Sequence, residues 1–330
     1  MQTRRPTTAA AEEILGGYFK VLDHGFVSLV DYMGSDEDIE RAARVSYGYG
    51  TRQASATRGL VRYLRRHRHS TPSEMVELKF HCAMPMFVAR QWVRHRTANI
   101  NEYSGRYSLM PLLFYTPQQG DFALQSTTNN QGRADQAASD VHAKAVERWS
   151  ALRSEASDLY GWLLAEDVAR ELARIDLPLS TYTQWYWKID LHNLLHFLTL
   201  RVDEHAQYEI RAFAQVMAGI VKRVAPITYE AWIDYDLCGA PFSRGEREAL
   251  AKLLEASDEG VHVRSSGVSS VDAGQLEVLG LSKREIAELA AKLTPRAVPD
   301  FELDLSMMRP AAEVEAEMQA AVPTTERPPT

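Results

Sequence analysis

The chain contains 330 residues, 45% of them hydrophobic and 25% charged, and it carries a formal net charge of −7. This length allows a substantial core in one or two domains, and the acidic balance argues against a general nucleic-acid-binding surface. The sequence has only two cysteines, no apolar run long enough to span a bilayer and no apolar signal core at the N-terminus. It therefore predicts a cytoplasmic protein without a disulfide framework or a membrane segment.

The first predicted elements alternate between strands and helices. Residues 1–19 are polar and alanine-rich and predict a flexible arm. Ser35 stands before three acidic residues, which is typical of a capped helix start. Apolar residues alternate strictly over 76–83 and predict a half-buried strand with Cys82 in its buried phase, as a core thiol and not a nucleophile. The predicted elements are strand material around a glycine turn (20–33), two helices (36–46 and 54–67) and the strand at 76–83.

A mixture of helices and strands continues to about residue 240. A loop at 115–134 precedes a long helix at 135–165, and the β-branched and aromatic residues 177–189 predict a strand. Two helices follow. The second carries a core stripe at three- and four-residue spacing, formed by Ala206, Ile210, Phe213, Met217 and Ile220.

The composition changes after residue 240. Helical pieces at 244–256 and 282–293 are joined by a Gly/Ser/Val-rich segment, and the last thirty residues are rich in proline and acidic residues. We therefore expect 20–240 to form the functional body and 241–330 an appendage, partly helical and partly flexible. Truncation after Ala240 is expected to leave activity largely intact.

Residues 90–107 place four arginines (90, 94, 96 and 106) around a single carboxylate, Glu102. Guanidinium groups bind phosphate in a bidentate manner, and the Ser104-Gly105 pair lets backbone N–H groups approach a ligand closely. The stretch predicts recognition of a phosphorylated small molecule. One alternative is a salt-bridged surface turn. Another is nucleic-acid binding, which the basic run at 62–69 would also suit.

A second group of polar residues lies on a predicted helix and the residues after it. His192 and His196 are four residues apart and share a helix face, and Asp203 and His205 follow. Two histidines at this spacing can bind one metal ion, as in a metal-dependent hydrolase. Because the HExxH glutamate is missing, ordinary helix-surface histidines remain the alternative.

Five separate stretches of the chain match the motifs of one enzyme family in the same order. The first is Arg-His-Arg followed after seven residues by Ser104, inside residues 87–108. The others are LeuArgxAspxHisAlaGlnxGluIle at 200–210, ArgIleAspLeuProLeu at 174–179, HisSerThrProSerGlu at 69–74 and ArgAlaAlaArgValSer at 41–46. Over roughly residues 20–238 the chain resembles the flavin-dependent thymidylate synthases.

The resemblance implies an α+β fold with a mixed helix and sheet body that is not of the Rossmann type, and the sequence contains no GxGxxG loop. It also implies reductive methylation of dUMP to dTMP. 5,10-Methylenetetrahydrofolate would be the one-carbon donor, and NADPH would be the reductant through bound FAD. The family further implies a homotetramer with FAD sites shared between subunits, and no metal, nucleic acid or membrane as a partner.

The resemblance assigns ligands to individual residues. Contacts to dUMP fall on Gln91, Arg94, Glu102, Tyr103, Ser104, Gly105, Arg106, Arg174 and Arg201. Contacts to FAD fall on Ser46, His69, Thr71, Arg94, His95, Arg96, Glu102, Asp190, His192 and His196. Arg201 is the expected catalytic residue, because its charge would stabilise negative charge developing on the uracil ring. We expect Glu102 to fix the arginines or touch both ligands, Ser104 to be a phosphate donor and not a nucleophile, and Asp190 to accept from a ribose or adenine donor.

Overall fold

The computed structural model describes residues 6–45, 57–127, 132–257, 260–263 and 270–323. Ser46, one of the expected FAD contacts, lies outside the described residues. The chain divides into two compact units. The first contains Met1–Trp232 and Phe301–Thr330, and the second contains Ile233–Asp300.

A six-stranded sheet forms the centre of the first unit. The strands of the whole chain, in order, are β1 (Tyr18–Val21), β2 (Gly25–Met33), β3 (Glu77–Pro85), β4 (Asn99–Glu102), β5 (Ala123–Gln125), β6 (Arg133–Gln136), β7 (Tyr182–Asp190), β8 (Leu254–Ser257), β9 (Gly260–Val263) and β10 (Met308–Arg309). The central sheet has the order β10-β1-β2-β3-β7-β4, and each neighbouring pair is antiparallel. Rossmann sheets are mostly parallel, so the prediction of an α+β fold of another type is confirmed.

Helices surround this sheet, and three helices also lie in the second unit. In chain order they are α1 (Ala9–Glu12), α2 (Asp36–Arg44), α3 (Thr57–Arg66), α4 (Thr71–Glu74), α5 (Met86–Trp92), α6 (Ser139–Ala165), α7 (Arg170–Ala173), α8 (Leu191–Arg201), α9 (Tyr208–Val224), α10 (Pro226–Trp232), α11 (Arg244–Leu253), α12 (Ala273–Val278), α13 (Lys283–Lys292) and α14 (Ala311–Ala320). Among the described ranges, no helix is both long enough and apolar enough to cross a bilayer.

An aromatic cluster joins three of these helices to the sheet. Trp92 of α5 is fully buried, and its ring centroid lies 5.4 Å from that of Trp185 and 5.3 Å from that of Trp187 on β7. The same ring contacts Phe197 of α8 and Phe213 of α9 at 5.1 and 5.9 Å. Aromatic side chains contribute large buried areas to a core. The cluster therefore fixes α5 and α8 against each other, and both carry candidate site residues toward their C-terminal ends.

The elements with strong periodicity or clear caps are confirmed. Ser35 begins α2 with a capping box, in which its backbone N–H donates to Asp38 Oδ2 at 3.0 Å. Strand β3 extends the predicted strand to Pro85 because its last residues are buried between β2 and β7. The predicted stripe of α9 is fully buried at Ile210, Phe213, Met217 and Ile220, whereas Ala206 precedes the helix.

Two segments without strong periodicity differ from the prediction. The expected loop at 115–134 contains β5 and ends beside β6, which pair with each other as a small hairpin. The flexible arm expected at 1–19 is corrected for residues 8–19, because α1 buries Ala11 completely and Ile14 is buried just after it. The backbone N–H of Thr8 also donates to the Tyr32 hydroxyl at 2.9 Å. A helix of four residues is too short to produce a recognisable period.

The C-terminal prediction also needs a correction. Residues 301–323 belong to the first unit, where β10 pairs with β1 at the edge of the central sheet. Truncation after Ala240 would therefore remove a strand of the main sheet, and it is no longer expected to be neutral.

The second unit has a small core of its own. Ala249, Leu276, Leu281 and Leu289 are buried together. Its helices α11, α12 and α13 each start with a capping box, and β8 and β9 form a hairpin. The buried carboxylate of Glu246 accepts from Lys292 Nζ at 2.8 Å. Helices α11 and α13 match the predicted helical pieces at 244–256 and 282–293, whereas α12 was not predicted and the end of the first piece begins β8.

Candidate active site

The ends of α5 and α8 meet through their polar side chains. Arg201 Nε donates to His95 Nε2 at 3.0 Å, although the two residues are 106 positions apart. Gln91 Nε2 donates to Gln207 Oε1 in a second hydrogen bond between the same two stretches. The two longest motifs of the sequence therefore form one site.

The environment of this pair keeps His95 neutral. Burial, the Arg201 charge and His196 together lower the pKa of His95 from 6.5 to about 4. A neutral imidazole can accept a hydrogen bond through Nε2, and it leaves the positive charge of Arg201 uncompensated. Burial also lowers the pKa of Arg201, and its Nη groups form no hydrogen bond with any residue that the structure describes. Arg201 is thus a half-buried cation whose Nη groups are available to a ligand.

The other arginines of the stretch are exposed. Arg90, Arg94 and Arg96 make no ion pair with residues in the described ranges. Glu102 does not hold them: its Oε1 accepts from Thr183 Oγ1 at 2.7 Å. Glu102 lies opposite Trp185 in the β4–β7 ladder, which makes Thr183 its diagonal neighbour on the same face. The expectation that Glu102 fixes the arginines is therefore corrected.

The loop of residues 103–112 follows β4 and forms a compact turn around Ser104. The backbone N–H groups of Tyr107 and Ser108 donate to the Ser104 carbonyl oxygen at 3.1 and 3.0 Å. The Tyr103 N–H donates to the Gln184 carbonyl oxygen at 2.8 Å, and the Tyr103 hydroxyl donates to the Leu109 carbonyl oxygen at 2.5 Å. Ser104 Oγ accepts from the Arg106 N–H at 3.3 Å. In this structure, the described contacts of Ser104 are therefore hydrogen bonds within its own turn.

Arg174 packs directly against this loop. Gly105 is buried, and a Cβ added there would lie 3.0 Å from Arg174 Cδ and 3.2 Å from Arg174 Nη1. Only glycine therefore leaves room for the guanidinium beside the turn. Arg106 pairs with Glu171 at 2.9 Å, and Arg170 Nη1 donates to the Tyr107 carbonyl oxygen at 2.6 Å. Basic side chains from two distant stretches thus converge on one turn, as an anion site requires.

The motifs at 41–46 and 69–74 meet around a separate cavity. This cavity has a volume of about 1210 Å³. It is lined by Arg41 and Val45 at the end of α2 and by Arg68, His69 and Thr71 before and within the first turn of α4. Two of the expected FAD contacts, His69 and Thr71, therefore share a cavity large enough for a sizeable ligand.

Asp190 has a structural role in the fold. It is the N-cap of α8, where Oδ1 accepts from the Asn193 N–H at 2.9 Å and Oδ2 from Asn193 Nδ2 at 2.7 Å. A capping carboxylate satisfies backbone N–H groups that have no partner within the helix. Each carboxylate oxygen can accept a second hydrogen bond, so Asp190 has a capping role in addition, and its expected contact with a ribose or adenine donor stays a prediction.

The histidines of α8 differ in their surroundings. His192 Nδ1 is buried and has no hydrogen-bond partner among the residues described, whereas His196 is exposed and its ring centroid lies 6.4 Å from that of His95. His205 Nδ1 pairs with Asp203 Oδ1 at 2.8 Å. Within the described ranges, no three His, Cys, Asp or Glu side chains converge as metal ligands would. The geometry does not favour the metal-dependent hydrolase.

The two cysteines are not activated thiols. Cys82 is fully buried in β3, and burial raises its pKa well above the ordinary value. The pKa of Cys238 is raised as well, by burial and by the charge of Asp234. A thiol with a raised pKa is a poor nucleophile, so the prediction that Cys82 is a core residue is confirmed.

Contact residues that were not among the predicted site residues include Thr183, Gln207, Arg170 and Glu171. Gln207 stood inside a matched motif, so that motif carried a signal for it. The contact of Thr183 depends on strand register and that of Glu171 on the position of α7. Patterns in a single sequence provide neither.

Comparison with known proteins gives consistent matches. The model of the family described as thymidylate synthase complementing protein matches residues 28–227. A flavin-dependent thymidylate synthase of Gluconobacter oxydans is 49% identical over 294 residues, which is 88% of this chain and 92% of that protein. One from Rickettsia bellii is 48% identical over 283 residues, covering 81% of this chain and 95% of that protein.

A similar solved structure is the UMP/dUMP methylase PolB from Streptomyces cacaoi bound with 5-Br dUMP. It is 34% identical, with a TM-score of 0.60, and the match covers 66% of this chain and 99% of that one. The same protein bound with 5-Br UMP matches with a TM-score of 0.61 at 33% identity, covering 66% of this chain and 98% of that one. The nucleic-acid-binding alternative finds no support in these matches.

Proposed function

Because this chain belongs to the flavin-dependent thymidylate synthases, we propose that it is a methyltransferase that converts dUMP to dTMP with the help of a flavin. Relatives of 49 and 48% identity carry that name, and the similar solved structure is a methylase bound with a dUMP analogue. The observation that carries the proposal is the presence of two cationic sites built from the matched motifs. One is the turn at Ser104 with Arg174, and the other is the half-buried Arg201 beside neutral His95.

The turn at Ser104 suits the phosphate of dUMP. We propose that Ser104, Gly105, Arg106 and Arg174 bind it through backbone N–H groups, a hydroxyl and two guanidinium groups. A nucleotide phosphate carries close to two negative charges, and guanidinium groups match its geometry. The absence of a side chain at Gly105 lets Arg174 lie against the turn.

Arg201 suits the uracil ring. We propose that Gln91 hydrogen-bonds the base, that Arg94, Glu102 and Tyr103 complete the contacts to dUMP, and that Arg201 is the catalytic residue. The ring carbon is a better nucleophile toward the one-carbon unit when partial negative charge lies on the ring nitrogens and oxygens, and that charge is used up as the new carbon–carbon bond forms. The Arg201 guanidinium stabilises that charge, and since His95 accepts from its Nε, the group is held in place for this role. No cysteine adduct is needed, in agreement with the buried Cys82.

We propose FAD as the flavin, with NADPH and 5,10-methylenetetrahydrofolate as co-substrates. Bound FAD, once reduced by NADPH, supplies the hydride. Several features fit an anionic cofactor with many acceptors. They are the cavity at His69 and Thr71, the exposed Arg94 and Arg96, which make no ion pair with the residues described, and the buried Nδ1 of His192, which has no hydrogen-bond partner among them. We propose that these residues, with His95, Glu102 and His196, hold FAD, and that Asp190 acts by capping α8.

We further propose that the chain assembles as a homotetramer whose FAD sites are shared between subunits. Large apolar side chains are exposed on α6 and on the segment after α7, including Trp162 (58% exposed) and Ile175 (69% exposed). Apolar surface of this kind marks association sites. Ile175 is adjacent to Arg174, so a subunit covering it would lie beside the proposed phosphate site.

Release of tritium from [5-³H]dUMP tests the proposed reaction. Methylation replaces the hydrogen on C5, so product and released tritium should appear in equal amounts when the folate, NADPH and FAD are all present. Tritium release that does not depend on the folate, or no release from a protein that binds FAD, would contradict methylation at C5.

A further inference from the structure

The C-terminal segment, residues 301–322, lies outside the stretch that matches the family model, yet it is built into the first unit. At its start, the Phe301 N–H donates to the Tyr229 hydroxyl at 3.0 Å. A Cβ added at Gly219 of α9 would lie 2.8 Å from Leu303 Cγ, so the segment approaches the helix as closely as glycine allows. The segment is therefore anchored to the fold at its beginning.

Its middle part covers the edge and the end of the central sheet. Strand β10 pairs with β1, and Val314 of α14 is 4% exposed, packed with Tyr18, Phe26 and Ala83. Glu317 accepts from Arg309 Nη1 at 2.9 Å and lies 3.4 Å from His24 Nδ1. The contacts of Glu317 with Arg309 and His24, together with the apolar contacts of Val314, hold α14 across β1, β2 and β3.

The end of the segment reaches the loop that we assign to the dUMP phosphate. The Leu112 N–H, at the end of that loop, donates to the Ala321 carbonyl oxygen at 2.9 Å. A cavity of about 320 Å³ is lined by Tyr103 and Pro111 of the loop together with Met318, Gln319 and Val322 of the segment. The C-terminal segment thus packs beside the 103–112 loop and is hydrogen-bonded to its end.

We propose that the C-terminal segment is a positioning element for the dUMP phosphate loop. The loop is tied at its start by the Tyr103 bond to the Gln184 carbonyl oxygen, and the bond from Leu112 to Ala321 ties its other end. With both ends fixed, the Ser104 turn and Arg174 keep the spacing that a phosphate requires, because binding costs less when the site is ordered beforehand. The inference rests on the proposed role of this loop in dUMP binding.

Two variants and two controls test it, each as the FAD-loaded holoenzyme. Val314→Asp places a charge in the apolar contact of α14, and its control Ala316→Asp places the same charge at an exposed position of the same helix. A chain ending at Ala320 lacks the acceptor for Leu112, and its control is a chain ending at Pro323. We expect both test variants to raise the KM for dUMP by about five- to tenfold, with kcat and bound FAD per subunit within twofold of the parent.

An unchanged KM in both variants, or a loss of FAD and dUMP binding in parallel with a lower Tm, would overturn the positioning role. A parent protein that makes no dTMP would instead refute the proposed function. Hydrogen exchange on the unaltered protein does not depend on the variants folding: dUMP should slow exchange of the amides of 311–322. If dUMP protects the 103–112 loop but leaves 311–322 unchanged, the segment does not respond to the site and the inference fails.

Discussion

At the scale of single residues, the contact between Arg201 and His95 links the two motifs on which the proposed chemistry depends. Replacing Arg201 by alanine should lower kcat for dTMP formation by on the order of 10²–10³, because an electrostatic stabiliser of the negative charge on the uracil ring is lost. FAD should stay bound, which flavin absorbance after desalting would show. Arg201→Lys keeps a charge without the planar donors and should recover part of the rate. Near-normal turnover of the alanine variant would refute the activating role.

The protonation of His95 gives a second test at this scale. Its pKa is lowered to about 4 by burial, Arg201 and His196. NMR titration of its ring, assigned with His95→Gln, should therefore give a midpoint well below 6.5, and Arg201→Ala should move it upward. A depressed histidine pKa means that the unfolded chain binds a proton at pH values where the folded chain does not. His95 should thus lower the free energy of unfolding as pH falls from about 6.5 toward 4. A midpoint at 6.5 or above would contradict the neutral acceptor.

Gly105 provides a third test. In Gly105→Ala, the added methyl group would meet Arg174 and Met110, and the guanidinium must move away from the turn. We expect the KM for dUMP to rise by about tenfold or more, as it should in Arg174→Ala, since each change removes a charge-assisted contact to the phosphate. The double variant should be little worse than either single one, because both act on the same contact. A KM that stays at the parent value in Arg174→Ala would move the phosphate elsewhere.

At the scale of elements, the N-cap of α8 separates a structural role from a cofactor role for Asp190. Asp190→Ala should destabilise the fold by about 1 kcal/mol, the usual cost of losing a cap. Asp190→Asn keeps an acceptor for the Asn193 N–H and should restore most of the Tm. Bound FAD per subunit should be nearly equal in all three proteins. A large loss of FAD in Asp190→Asn at an unchanged Tm would show that the carboxylate contacts the cofactor after all.

The success of sequence-based prediction depended on the element. Strand β3 and helix α9 carry strong periods and were predicted, and Ser35 was recognised as a cap from its acidic neighbours. Strand β10 has two residues, which give no period, and α14 lies in a proline-rich and acidic region that resembles a disordered tail. The order of the sheet, which brings β10 beside β1, depends on long-range pairing that local patterns do not contain.

The same distinction applies to the candidate site. Its residues could be identified because they stand in contiguous motifs, but their partners could not. Glu102 was expected to contact the arginines. It instead accepts a hydrogen bond from Thr183, because the β4–β7 register determines its neighbours. Asp190 was expected to contact a ligand. In the structure it caps α8, because that helix begins at the next residue. The link between His95 and Arg201 required the three-dimensional packing of α5 on α8.

At the scale of the whole molecule, the exposed apolar surface predicts how the subunits assemble. Trp162→Glu on α6 should weaken the proposed homotetramer, since it places a charge in a surface that a partner would bury. Light scattering should show smaller species, and bound FAD should decrease with them if the sites are shared. Glu147→Lys, at an exposed polar position of the same helix, is the control. Smaller species that retain the full amount of FAD would contradict shared cofactor sites.

The most direct measurement is dTMP formation by the purified chain from dUMP, methylenetetrahydrofolate and NADPH, with and without added FAD. We expect dTMP to form only when dUMP, methylenetetrahydrofolate and NADPH are all present. Its formation should also depend on flavin, either retained by the protein or added. We also expect the rate of product formation to fall by on the order of 10²–10³ in Arg201→Ala while the flavin remains bound. A folded protein that binds FAD and dUMP yet forms no dTMP would contradict the central claim that Arg201 and the Ser104 turn together serve thymidylate synthesis.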